Sequence, residues 1–253
     1  MKRFLALVMM LALVSCAVIA FAETQEAPAD VKPMTKEEFD QAAIDDPVCV
    51  EAYVQAAQGW WAKDGVGRMT LYLQNEEGAY FAYEVLMEEE ESKKLVPGTK
   101  IRIKGFKAEW SGEVEIVEAS YEVLEAEPWI AEAKDLTAVL GNDDLVKHIN
   151  EKFAVKGAKV VPSKVEGKDD EFAFLYNYDG SGSQDANSDL YFNVEVDGKT
   201  YTFTVESYLC GKDTDVYKAV EALKVGDVID CEGFLYWYNG ATPHITQVTA
   251  AAQ

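Results

Sequence analysis

The sequence predicts a mainly β protein: two five-stranded barrels in tandem, each with a short helix before its fourth strand, plus short helices preceding the barrels. Three observations predict it. First, "LVPGTKIRIKGFKAEWSG" (95–112) returns without a gap as "LKVGDVIDCEGFLYWYNG" (223–240), at a constant offset of 128 residues. Leu95, Gly98, Ile101, Gly105, Phe106 and Gly112 recur as Leu223, Gly226, Ile229, Gly233, Phe234 and Gly240. Second, the apolar stretches around each copy run strand–strand–strand–helix–strand–strand. Third, these stretches are bounded by turn signals, Asn75-Glu76-Glu77-Gly78 in the first half and Asp197-Gly198 in the second.

The first half opens with a short helix over about 36–44, signalled by the capping box Thr35…Glu38 and stopped at Asp46-Pro47. "VCVEAYV" alternates Val48, Val50, Ala52 and Val54 on one face; "MTLYLQ" and "AYFAYEVL" form a hairpin. "EEEESKKL" reads as the helix, "TKIRIKGF" as strand four and "EVEIVEASYEVL" as strand five. In the second half, a helix over about 142–150 precedes "FAVKGAKVV", "SDLYFNVEV" and "KTYTFTVESYL". The helix "DTDVYKAVEAL", the repeated motif and "HITQVTA" complete it. Domains are expected over 46–125 and 142–253, joined by the segment 126–141.

The N-terminal residues read as an address. Lys2 and Arg3 precede an apolar run from Phe4 to about Ile19, and Ala20-Phe21-Ala22 fits a cleavage site, giving a signal peptide over 1–22. Leu13-Val14-Ser15-Cys16 also resembles a lipobox, so the exported protein is expected to be either secreted or lipid-anchored at Cys16. Residues 23–45 then serve as a polar tether and the short helix. Of the three cysteines that follow, Cys231 replaces the apolar Ile103 of the repeat and reads as a buried thiol; a Cys210–Cys231 bridge is the alternative, and Cys49 is left over.

Charge narrows the partners. The chain has 23 basic and 45 acidic residues, a formal −22, and three arginines: Arg3, Arg68 and Arg102. Phosphate binding draws on Lys and Arg displacing counterions, so this balance disfavours nucleic acid and favours an extracellular neutral or cationic ligand, or a protein. No G-x-S-x-G, H-E-x-x-H or P-loop occurs and the two histidines are far apart, so no enzyme is expected.

The pattern L-x-x-G-x-x-I-x-x-x-G-F, with its glycine where a small barrel bends, resembles the helix end and fourth strand of bacterial OB-fold domains. Over roughly 46–249 the chain resembles exported tandem OB-fold proteins of Gram-positive anaerobes. That resemblance implies a ligand surface on strands two and three, bounded by the loops after strands one and four. Aromatic residues that suit ring stacking there are Trp60, Trp61 and Trp110 in the first half and Tyr176, Tyr178, Tyr236, Trp237 and Tyr238 in the second. Tyr72, Tyr83, Tyr191, Tyr201 and His244 accompany them, although strand aromatics at period two also serve as core. Three adjacent strand residues, 236–238, cannot all point inward. Asp185, Asn187 and Asp189 alternate as calcium ligands do, but lack the glycine and the final glutamate of a calcium loop; no other cofactor is expected. The function expected is therefore a non-catalytic binding module for a glycan, cell-wall fragment or peptide. The alternatives are a single-stranded nucleic-acid-binding protein and a protein-interaction or structural module.

Overall fold

A computed structural model describes residues 31–167 and 169–251. The expected signal peptide and Cys16 lie outside the described residues. In chain order the elements are α1 Lys36–Gln41, β1 Pro47–Ala57, β2 Trp61–Lys63, β3 Val66–Gln74, β4 Ala79–Leu86, α2 Glu89–Ser92, β5 Lys100–Trp110 and β6 Glu113–Val123. The second half continues with β7 Lys134–Asp135, β8 Lys152–Val161, β9 Ser163–Lys164, β10 Glu171–Phe172 and β11 Leu175–Tyr176. It ends with β12 Leu190–Val196, β13 Lys199–Val205, α3 Asp215–Glu221, β14 Val228–Phe234 and β15 His244–Ala250.

Both halves close into five-stranded barrels. In the first, β1 pairs with β3 and β5, β3 with β4, β5 with β6, and a parallel contact between β4 and β6 completes the ring. In the second, β8, β12, β13, β15 and β14 repeat the order, and the single parallel pair Thr204–His244 closes it. This strand order, with a helix between the third and fourth main strands, is that of the OB fold. Each barrel carries its own core. Val50, Leu71, Ile101, Ile103 and Ile116 fill the first; Phe153, Phe192, Phe203, Cys231 and Ile245 fill the second.

The repeated glycine has a steric reason. A Cβ on Gly105 would stand 2.5 Å from the Val117 carbonyl oxygen, and one on Gly233 2.1 Å from that of His244. At both places strand four shifts register against strand five, so the sheet coils tightly enough to close. The hairpin at Asp197-Gly198 has both residues at positive φ (51° and 74°), the two-residue turn those residue types favour.

Helix expectations needed trimming. Helix α1 forms its capping box as read, Glu38 N to Thr35 Oγ1 at 3.2 Å and Thr35 N to Glu38 Oε2 at 2.8 Å. It stops at Gln41 because the buried Lys107 ammonium caps its end, donating to the carbonyls of Phe39, Asp40 and Ala42 at 2.7–3.0 Å. Over 142–150 a 3-10 helix, Asp143–His148, replaces the expected α-helix; too short to propagate, it rests on the Asn142 cap and on Leu145 in the core. Cys49, Cys210 and Cys231 are all free and buried, so the Cys210–Cys231 bridge is not formed.

Candidate functional site

The outer face of β3 and β4 decides where a site sits. On β3, Leu71 and Leu73 point into the barrel, whereas Thr70 and Tyr72 point out; Phe81 and Tyr83 point out from β4 beside them. An outward Tyr72 with no solvent exposure must be covered, and the second barrel covers it. Phe234 packs on Tyr72 with ring centroids 4.6 Å apart and planes tilted by 32°, and the Tyr72 hydroxyl lies 2.7 Å from Nδ1 of His244. Tyr236 lies parallel to the His244 ring at 4.3 Å and meets Phe81 edge-on at 5.4 Å. Tyr72, Phe81 and Phe234 form a small cluster of their own between the barrel cores, with Tyr236 packed against it. Burial drives His244 down to about 3, so its ring is neutral at ordinary pH.

A second set of contacts fixes the joint from the other side. Glu113, fully buried at the start of β6, accepts from Asn150 Nδ2 at 2.6 Å and from the Trp237 backbone N–H at 2.8 Å. Trp237 lies over Gly112, Asn239 N donates to the Ser111 carbonyl at 2.7 Å, and Lys152 N donates to Gln74 Oε1 at 2.9 Å. Burial pushes the Glu113 carboxyl up to about 8, against the opposing pull of those two hydrogen bonds.

The second barrel leaves part of that face open. What remains is a cleft of about 620 Å³, lined by Gln58, Trp61, Thr70, Phe81, Tyr83, Glu84, Glu206, Tyr208, Tyr236 and His244. Its volume is in the range of small-ligand sites. The loop after β1 reaches it directly: Gly59 N donates to the Tyr208 carbonyl at 2.9 Å and Gln58 Nε2 to Glu206 Oε2 at 3.2 Å. A bulge sets Tyr83 and Glu84 opposite Thr70, with Glu84 at a positive φ of 48° and its N–H on Thr70 Oγ1. Trp61 carries the Arg68 guanidinium over its ring at 5.4 Å, and Arg68 also pairs with Glu84 at 3.4 Å. Glu206 is held by the backbone N–H groups of Tyr208 and Leu209 at 3.1 and 2.8 Å, and burial raises its carboxyl to about 7. The cleft is therefore much less negative than the protein as a whole: one carboxylate is paired and the other sits at the edge of ionisation.

Of the residues singled out from sequence, Trp61 and Tyr236 line the cleft, as do Tyr83 and His244. Trp60 does not: it turns inward, donates to the Met87 carbonyl at 3.0 Å and fills the space beside Gly67. Tyr176 packs on the second core and donates to Glu221 Oε1, Tyr201 donates to the Leu140 carbonyl, and Trp237 belongs to the joint. Trp110, Tyr178 and Tyr238 are exposed outside the cleft, so the ring in 236–238 that fails to turn inward is Tyr238. Asn187 and Asp189 are engaged as caps, accepting from Lys212 N at 2.6 Å and Ser207 N at 2.8 Å, while Asp185 lends its backbone carbonyl to Lys212 Nζ. Among the described residues no three acidic, histidine or cysteine side chains gather as a metal site. Reading the sequence missed Gln58, Thr70, Phe81, Glu84, Glu206 and Tyr208.

No protein-family model matches the chain, and no curated protein matches it in sequence. Solved structures match in fold. The tetrameric p202 HIN2 structure is 12% identical, with 87% of this chain and 100% of that one covered at a TM-score of 0.35. The Ifi202 HINa domain in complex with 20-bp dsDNA is 14% identical, with 83% and 98% covered at 0.33. A replication protein A heterotrimer bound to ssDNA is 10% identical, with 82% and 51% covered at 0.32. The expectation of a glycan, cell-wall or peptide module, with nucleic acid disfavoured as a partner, is corrected on this finding: the matching structures include proteins bound to dsDNA and to ssDNA. The physical reason is that net charge averages over the whole surface, whereas stacking depends on the rings and charges of one cleft.

Proposed function

We propose that this chain is a single-stranded nucleic-acid-binding protein in which the cleft between the barrels holds an unstacked base. One observation carries the reading: Trp61, Phe81, Tyr83, Tyr208 and Tyr236 surround a cleft that opens from strands two and three of an OB barrel and the loop after strand one. Base–aromatic stacking contributes about 1–3 kcal/mol per base and needs no phosphate contact. Gln58, Thr70 and Glu206 offer donors and acceptors to the edge of a stacked base. Arg68, held over Trp61, places a cation at the aromatic wall and suits a single phosphate contact.

This mode of binding has a salt signature. Each phosphate neutralised on a single strand contributes about −0.7 to the slope of log affinity against log salt, so one contact leaves a shallow slope. The test is fluorescence anisotropy of labelled single-stranded oligonucleotides over a salt series, with Trp61→Ala beside the wild type. The expected result is saturable binding, a shallow salt slope and a loss of about 5- to 150-fold on Trp61→Ala. Absence of binding at every salt concentration, or unchanged affinity in the variant, would overturn the reading.

A further inference from the structure

Glu206 stands where the second barrel meets the cleft, and its carboxyl is fixed before any ligand arrives. The Tyr208 N–H donates to Oε1 at 3.1 Å and the Leu209 N–H to Oε2 at 2.8 Å, both from the turn that Glu206 itself begins. Gln58, from the first barrel, adds its side-chain amide to Oε2 at 3.2 Å, the longest of the three contacts and the only one from a side chain. Each carboxylate oxygen offers two lone-pair positions, so Oε1 keeps one free. The three donors on Glu206 are all neutral, two backbone N–H groups and one side-chain amide. Its charge is therefore set by burial and by its neighbours: Asp189, Tyr72, Tyr191, Tyr236 and the Cys210 thiol around it, with neutral His244 and the Arg68-paired Glu84 across the cleft.

We infer that Glu206 is the specificity-determining group of this cleft and tells cytosine from thymine or uracil. This rests on the nucleic-acid reading above. Cytosine and uracil have rings of the same size, to which thymine adds a methyl, so stacking separates them little; they differ at position four, where cytosine carries an amino donor and thymine or uracil a carbonyl acceptor, and in the opposite sense at N3. With position four of the base turned to Oε1 and N3 turned away from it, an ionised Glu206 accepts from the cytosine amino group and faces the thymine carbonyl with lone pair against lone pair. A protonated Glu206 donates its O–H to the thymine carbonyl instead. Between these two states the cleft exchanges one pyrimidine for the other, and the exchange falls near neutral pH, where burial places this carboxyl.

The experiment measures the affinity ratio of short oligo-dC to oligo-dT by anisotropy with the full chain, at about pH 5.5 and about pH 8.5, which bracket the Glu206 titration. Taking the ratio cancels pH effects on the protein that both ligands share, including those of Glu113 at the joint. The expected result is roughly a tenfold preference for oligo-dC at the higher pH and its loss or reversal at the lower. Glu206→Gln, which carries a donor and an acceptor and no charge, is expected to make the ratio independent of pH. If that variant melts below the assay temperature, the wild-type ratio is read instead with strands carrying a single cytosine or a single thymine in an otherwise identical abasic backbone, because oligo-dC protonates and self-pairs at the lower pH. Binding of both oligonucleotides with a ratio that ignores pH, or that still follows pH in Glu206→Gln, would overturn the assignment and leave the cleft as a base site. Binding of only one of the two at both pH values would likewise overturn the assignment alone, whereas failure of both oligonucleotides to bind at either pH would overturn the nucleic-acid reading with it.

Discussion

Replacing Glu113 by glutamine should make stability curves cross. Glu113 is fully buried at the joint, and its carboxyl is pushed from the ordinary 4.5 up to about 8, with burial as the largest cause. Below about pH 4.5 the group is protonated in both folded and unfolded chains, and its contribution to stability is complete. As pH rises the unfolded chain releases the proton while the folded chain keeps it, so stability falls through this window up to about pH 8. At 1.36 kcal/mol per pH unit, the loss reaches roughly 3 kcal/mol by pH 7 and roughly 5 kcal/mol above pH 8. Glutamine does not titrate, but its amide can accept only one of the two hydrogen bonds from Asn150 and Trp237, at a cost of about 1–3 kcal/mol. Glu113→Gln is therefore expected to be less stable than wild type near pH 4, more stable by roughly 2–4 kcal/mol near pH 9, and equal to it between about pH 5 and 7. Urea titrations across this range measure the difference, with an unchanged m-value showing that both unfold the same surface. Glu206, raised to about 7 by burial, lowers wild-type stability in the same direction but drops out of the comparison; Glu115, also raised to about 7, enters it only as the smallest of the causes that raise Glu113. Parallel curves for the two proteins at all pH values would refute the reasoning.

The remaining predictions separate scaffold from site. Gly233→Ala drives a methyl to 2.1 Å from the His244 carbonyl oxygen, and denaturant titration is expected to show a loss of about 3 kcal/mol or more. Trp60→Ala and Trp61→Ala, adjacent in sequence, should part company: the first costs about 3 kcal/mol of stability through lost packing, while the second leaves the melting temperature nearly unchanged and acts on binding. Tyr72→Phe leaves Nδ1 of buried His244 without its hydroxyl partner and should cost about 1–3 kcal/mol, equally at pH 5 and pH 9, since the ring stays neutral throughout. A His244 signal that titrates near neutral pH in nuclear magnetic resonance would contradict that account.

Much of the scaffold was legible because it is local or repeated. Gly105 and Gly233, at one offset, marked the coiling strand in both barrels, and Asp197-Gly198 and the Thr35–Glu38 box fixed a turn and a helix start. A helix over 142–150 was expected, but its 3-10 form at Asp143–His148 was not legible, since so short a segment gains little from propensity and is decided by where Leu145 finds the core. Half of the cleft was visible as aromatic residues, yet the sequence does not say whether Trp60 or Trp61 faces in. Glu206 and Gln58 were invisible because they meet only when two barrels pack, 148 residues apart along the chain. A signal for the joint was present nonetheless. "MTLYL" and "AYFA" are buried on both faces, and a strand pair of a small barrel without a polar face must be covered by something. Here that cover is the second barrel, whose Phe234, Tyr236 and His244 leave the cleft at the edge of what they bury.

The most direct test is photo-crosslinking of single-stranded DNA carrying a photoreactive pyrimidine, followed by mapping of the attached peptide. The account predicts attachment at the cleft rings, Trp61, Tyr83, Tyr208 or Tyr236, and its loss when unlabelled oligonucleotide competes. Attachment confined to the exposed rings outside the cleft, Trp110, Tyr178 and Tyr238, or no competed attachment anywhere, would contradict it.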